Sequence, residues 1–125
     1  MRLLLDTHVL LWVMADDPSL STAARVTIGR ADIVYASAVS LWEVSIKVGL
    51  GKLRIDQDRF VEQLQAAGFE PLSITWGHAE AVRHLPNIHS DPFDRMLIAQ
   101  AVSEPLKLMT ADKVLAQYSE LVIPI

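Results

Sequence analysis

Apolar and polar residues come in blocks along this chain, and most blocks have a length and rhythm that select one kind of element. The opening Leu3-Leu4-Leu5 is a short apolar run ended by Asp6, the pattern of a strand buried on both faces. Thr7 can then cap a helix through residue 14, with Asp16, Asp17 and Pro18 ending it. Ser21 caps a second helix that stops near Gly29. Residues 33–36 predict a second strand. Ser37 or Ser40 then starts a long helix carrying Leu41, Trp42, Val44, Ile46 and Val48 until Gly49 and Gly51 break it.

Asp58 opens a further helix with Phe60, Val61 and Leu64 on one face and Gly68 at its C-terminal end. A short strand is expected over 69–74 and a helix over 75–84. Asp91-Pro92 has the form of an N-cap followed by proline at the first helical position. The helix it starts carries Met96, Leu97, Ile98, Ala99 and Val102 and ends before Pro105. Residues 106–109 predict a strand, 112–118 a last helix and 121–123 a final strand. Strands alternating with helices imply βα units, hence an α/β fold with a parallel sheet. With no internal repeat and no Pro/Gly/Ser linker, one domain is expected over 1–125.

Composition sharpens this picture in three ways. The apolar fraction of 51% and mean hydropathy of +0.29 point to a heavily buried sheet or a surface given to a partner. No apolar run reaches the roughly 18 to 20 residues that span a bilayer. The chain has no cysteine, and Asp6 interrupts the opening apolar run too early for a signal peptide; a reducing cytoplasm is therefore expected, and thiolate zinc sites are excluded. The net charge of -4 argues against binding nucleic acid through bulk positive charge. Carboxylates gathered in one site would account for that charge, and bound divalent cations would reverse its local sign.

Four acids are placed to gather in this way. Asp6 ends the first predicted strand, and Asp112 follows the fourth through Thr110-Ala111. Glu43 lies one turn into the helix after the second strand, and Asp94 one turn into the helix before the fourth. Right-handed crossovers put the carboxyl ends of parallel strands on one edge, so these residues can converge there. Carboxylates a few ångströms apart raise one another's pKa or attract cations. Carboxylate oxygens and water are the ligands Mg²⁺ and Mn²⁺ prefer, and such ions can hold a phosphodiester and activate a water toward phosphorus. Each acid also has a plainer reading. Asp6 and Asp112 can be N-caps, Glu43 can pair with Lys47 at i,i+4, and Asp94 can favour its helix dipole. Glu43 fits the plain reading worst, because Leu41, Trp42, Val44 and Ile46 surround it.

At these residues the chain resembles the PIN-domain ribonucleases, specifically the VapC-type toxins of type II toxin–antitoxin pairs. The resemblance rests on Leu3-Leu4-Leu5-Asp6-Thr7-His8, on the run from Ser37 to Lys47 containing Ser40-Leu41-Trp42-Glu43, on His89-Ser90-Asp91-Pro92-Phe93-Asp94-Arg95-Met96-Leu97-Ile98-Ala99-Gln100-Ala101, and on Thr110-Ala111-Asp112. It implies a single PIN-like domain with a central parallel sheet of about five strands flanked by helices. It implies that Asp6, Glu43, Asp94 and Asp112 are the catalytic acids and hold Mg²⁺ or Mn²⁺, with Asp6 and Asp94 as direct ligands. It further implies endoribonuclease activity on structured RNA such as tRNA or rRNA, homodimerisation, and inhibition by an antitoxin protein. One departure is His8, where many relatives have Ser or Asn; it is expected to alter the water network.

Several other residues are open to two roles. Thr7, Ser40 and Thr110 can orient the carboxylates by hydrogen bonds or serve only as caps. Arg95 can contact a phosphate or pair with Asp91, and Lys47 can hold Glu43 or reach substrate. Asp91 reads as the helix cap. His78, His84 and His89 lack the spacing of a zinc site and read as polar surface. Trp12 and Trp42 read as core or dimer contact, while Lys52, Arg54 and Arg59 can steer RNA or form an ordinary solvated face, the reading favoured. Two alternatives to the enzyme are a catalytically silent PIN-fold binding module and a receiver-like signalling domain. The latter needs a paired acid at the first strand and a Lys at the last, and neither is here.

Overall fold

The computed structural model describes all 125 residues. Its central sheet has five strands in the order β3-β2-β1-β4-β5: β1 is Arg2–Leu5, β2 Ile33–Ser37, β3 Glu70–Leu72, β4 Lys107–Thr110 and β5 Val122–Pro124. Every neighbouring pair is parallel. Around the sheet lie α1 (Thr7–Ala15), α2 (Thr22–Arg30), α3 (Ala38–Gly49), α4 (Gln57–Ala66), α5 (Trp76–Ala81) and α6 (Pro92–Ser103). No helix is long and apolar enough to cross a membrane.

The opening leucines explain the layering. β1 is the middle strand, with helices on both faces, so Leu3, Leu4 and Leu5 are all fully buried. Successive side chains of a strand point to opposite faces. Leu3 and Leu5 therefore join one core with Val9, Leu10, Val44, Phe60 and Met109, while Leu4 joins the other with Val39, Leu97, Ile98, Leu108 and Leu115. An uninterrupted apolar run is what such two-sided burial demands.

The topology positions the site. The chain lays β2 and β3 on one side of β1, then crosses over to lay β4 and β5 on the other. The strand order thus reverses between β1 and β4, and a crevice opens at the carboxyl ends of the strands at such a switch point. The register pairs Leu5 with Met109, which brings Asp6 and Thr110 level at that edge. The Asp6 N–H continues the ladder to the Met109 carbonyl at 3.0 Å. This order is not the 2-1-3-4-5 arrangement of receiver domains, so that alternative falls away.

Element boundaries depart from expectation where capping or crowding decides them. The cap of α1 is Asp6 rather than Thr7, since the Asp6 side chain accepts the Val9 N–H. α4 begins at Gln57 behind Asp56, one residue before the expected Asp58. The helix expected over 75–84 splits into α5 and a 3₁₀ turn, Val82–His84. The last helix is only a 3₁₀ turn, Lys113–Gln117, with Asp112 as its N-cap. Trp42 is more than half exposed, its ring set edge-on against Phe93 with centroids 5.1 Å apart, whereas Trp12 does pack against the core.

Candidate active site

Asp6, Thr7, His8, Glu43, Lys47, Asp91, Asp94, Ala111 and Asp112 line one cleft of about 180 Å³ at the carboxyl edge of the sheet. All four acids singled out from the sequence therefore meet. Each arrives by a different route. Asp6 is delivered by the end of β1, Asp112 by the turn after β4, Glu43 by the second turn of α3 and Asp94 by the first turn of α6.

Asp6 is buried, and its two oxygens have separate tasks. Oδ1 accepts the Val9 N–H at 2.9 Å and so caps α1, while Oδ2 accepts a short hydrogen bond from the Thr110 hydroxyl. The Thr110 Oγ1 in turn accepts the Asp112 N–H at 3.0 Å. One buried threonine thus ties together the acids after β1 and β4. Asp112 divides its oxygens in the same way, with Oδ1 capping the 3₁₀ turn through the Val114 N–H at 3.0 Å. The capping and site roles are therefore not rivals at either residue.

Glu43 is 7% exposed, which is unusual for a carboxylate on a helix. Lys47 approaches its Oε2 at 3.0 Å, the i,i+4 pair anticipated, but its buried Oε1 has no hydrogen-bond partner in the protein. Thr7 Oγ1 donates to Ser40 Oγ at 2.9 Å, linking α1 to α3, and neither hydroxyl bonds to an acid. Asp91 caps α6 by accepting the Phe93 and Asp94 N–H groups at 2.8 and 3.2 Å, with Pro92 at the first helical position as expected.

Crowding leaves an electrostatic signature. Burial, then the charges of Asp91 and Asp6, push the Asp94 carboxyl up to about 7, against which His89 acts in the lowering sense. Burial also raises Asp6, partly offset by the Thr110 hydroxyl and the Val9 N–H. Five carboxylates around one cleft, faced by the single ammonium of Lys47, account for the acidic balance of the whole chain.

Three residues stand elsewhere than the sequence placed them. Arg95 does not reach the cleft or Asp91. Its guanidinium donates to the Pro86 and Val82 carbonyls and to Tyr118 Oη, bracing the loop between α5 and α6. His89 is not free polar surface, since its Nε2 lies 3.1 Å from Asp112 Oδ2 and 3.8 Å from Asp94 Oδ2. His78 is also not surface: it is 2% exposed, completes a capping box with Thr75 and meets Glu104 at 2.6 Å. Only His84 of the three is exposed. The one hint of His89 in the sequence is its place two residues before the cap Asp91.

The residues present fit a hard divalent cation. The donors are carboxylate oxygens, the set that Mg²⁺ and Mn²⁺ select. A buried oxygen without a partner costs about 1–3 kcal/mol, and a cation beside Glu43 Oε1 would remove that cost. Asp6, Glu43, Asp94 and Asp112 are the residues that could hold it.

A PIN-domain family model matches residues 3–121. Ribonuclease VapC22 of Mycobacterium tuberculosis is 31% identical over 117 residues, covering 88% of this chain and 86% of that protein. Solved structures of similar fold include VapBC2 of Rickettsia felis bound to a DNA fragment from its promoter, with TM-score 0.71 and 14% identity over 100% of this chain and 98% of that one. A toxin–antitoxin complex from Klebsiella pneumoniae matches with TM-score 0.66 and 18% identity over 96% of this chain and 94% of that one. FitAcB of Neisseria gonorrhoeae gives TM-score 0.66 and 17% identity over 98% and 96% of the two chains. At those identities the structural likeness speaks for the fold, while the family model and the relative speak for descent. The chain belongs to the PIN-domain family.

Proposed function

We propose that this protein is a metal-dependent endoribonuclease, the toxin of a toxin–antitoxin pair, with Asp6, Glu43, Asp94 and Asp112 as its catalytic, Mg²⁺- or Mn²⁺-holding residues. The observation that carries the chemistry is the buried, partnerless Glu43 Oε1 beside a carboxyl raised to about 7, an arrangement that wants positive charge. The biological role is supported by a relative named as a ribonuclease and by a neighbour of the same fold solved as a toxin–antitoxin complex.

Bound among these oxygens, a divalent ion would neutralise phosphodiester charge and acidify a water for attack on phosphorus. The chain's own residues prepare that event. Thr110 holds Asp6 and the turn carrying Asp112 in fixed relation. The α1 and 3₁₀ caps fix one oxygen of each, leaving little freedom to lose on binding. Lys47, half-buried at the rim against Glu43, is the cation that can meet the negative backbone of the substrate. RNA such as tRNA or rRNA is the substrate, the cytoplasm the site of action and a homodimer the working form. The partner is an antitoxin that masks the cleft, inserting a basic side chain among the acids.

The test is cleavage of total tRNA by purified, folded protein with Mg²⁺ or Mn²⁺, with EDTA, and with Asp94→Asn. Discrete cuts that vanish in EDTA and in the variant are expected, as is their loss in a stoichiometric complex with antitoxin. Cutting that survives EDTA overturns the metal assignment. Absence of cutting with several RNA classes, in protein that still folds, favours the silent binding module.

A further inference from the structure

His89 sits in a loop, yet both its ring nitrogens and both its backbone polar groups are engaged. The Asp91 backbone N–H donates to His89 Nδ1 at 3.0 Å. A backbone amide cannot accept, so Nδ1 must be the bare nitrogen, and in the neutral ring the proton resides on Nε2. That Nε2–H then points at Asp112 Oδ2, 3.1 Å away. The His89 N–H donates to Tyr118 Oη at 2.7 Å, and the His89 carbonyl accepts from the same hydroxyl at 3.3 Å. Asp112 and Tyr118 are the residues at the two ends of the 3₁₀ turn Lys113–Gln117. One histidine therefore clamps that turn at both ends and holds it against the loop leading into α6.

His89 Nε2 and oxygens of Asp94 and Asp112 lie within 4.8 Å of one another, which by distance alone would also suit a metal ion with a nitrogen ligand. The tautomer decides against this. Ligation through Nε2 would need the proton on Nδ1, where it would face the Asp91 N–H. His89 also stands behind the acids, outside the lining of the cleft. We propose that His89 is a positioning residue rather than a metal ligand: its Nε2–H, locked by the Asp91 amide, orients the Asp112 carboxylate toward the cleft. The role in metal binding rests on the nuclease reading above; the tautomer does not.

Long-range ¹H–¹⁵N spectra of wild-type protein, at a pH above the ordinary imidazole range, read the tautomer directly. The expected result is an Nε2-protonated His89 that keeps this form when Mg²⁺ is added. An Nδ1-protonated ring, or one that switches on adding Mg²⁺, overturns the proposal. Calorimetry with Mn²⁺ and steady-state cleavage then test the consequence. His89→Leu should weaken Mn²⁺ binding and lower kcat by about 10- to 100-fold with KM little changed. His89→Gln, which can return an N–H donor, should recover most of both. In an Asp112→Asn background, His89→Leu should cost almost nothing more. Equal losses in the two backgrounds, or no recovery with Gln, overturn the proposal. If wild-type protein binds no Mn²⁺, the nuclease reading fails, and the tautomer alone decides whether His89 orients Asp112.

Discussion

Asp94 and Thr110 carry opposite kinds of burden at the residue scale. Asp94 is crowded by burial and by Asp91 and Asp6, and its carboxyl rises from 3.8 to about 7. Between those values the unfolded chain has released the proton and the native one has not. Stability from this group is fully present below 3.8 and is lost as pH rises to about 7. Thermal unfolding in EDTA should therefore show the melting temperature falling across that window. Asp94→Asn should flatten the fall and raise the neutral-pH midpoint by about 5 °C, since the side chain is partly solvated and the shift cannot count in full. An unchanged slope in the variant would refute the assignment. Thr110, by contrast, is fully buried and satisfied on both sides. Thr110→Val keeps its shape but strands the Asp112 N–H and frees Asp6. It should cost about 1–3 kcal/mol in urea unfolding and lower cleavage by about 10- to 100-fold.

At the scale of elements, α6 joins the two halves of the site through its first turn. Its cap Asp91 accepts two backbone N–H groups and at the same time adds charge beside Asp94. Asp91→Asn retains a capping oxygen but removes the charge, so stability should change little while the Asp94 titration moves down. Asp91→Ala should lose about 1 kcal/mol as well; ¹³C-detected carboxyl titration and urea unfolding separate the two effects. The N-caps at Ser21 and Asp91, with Pro92 behind the latter, are legible because capping is local chemistry. Between Asp6 and Thr7, adjacent and both good capping residues, the sequence supports either as the cap of α1; the Val9 N–H goes to Asp6. The final turn was overestimated as a helix because 112–118 has no run long enough to tell the two apart. His89 stayed hidden for a different reason. Its partners Asp112 and Tyr118 lie 23 and 29 residues on, and no periodicity reports a loop folded onto a distant turn. Of the two places open to Trp42, the core is ruled out, since its ring stands on the exposed side of α3 against Phe93.

For the whole molecule, the alternation of strand and helix was enough to predict the parallel sheet, but not the reversal of strand order that opens the crevice. That reversal depends on the fourth strand taking the edge of β1 that β2 leaves free, where Leu4 stands in register with Leu108. Leu4→Ala should cost about 2–5 kcal/mol in chemical unfolding, because a middle strand with helices on both faces cannot collapse onto the void. A similar truncation at the exposed Val61 should be nearly silent. The bond between Thr110 and Asp6 spans 104 residues of chain. During synthesis the first strand must wait, unpaired on one edge, until Lys107–Thr110 have left the ribosome. A nascent chain that stalls before Thr110, or is cut short there, can therefore hold no assembled cleft: the acids remain strangers until the far side of the sheet exists.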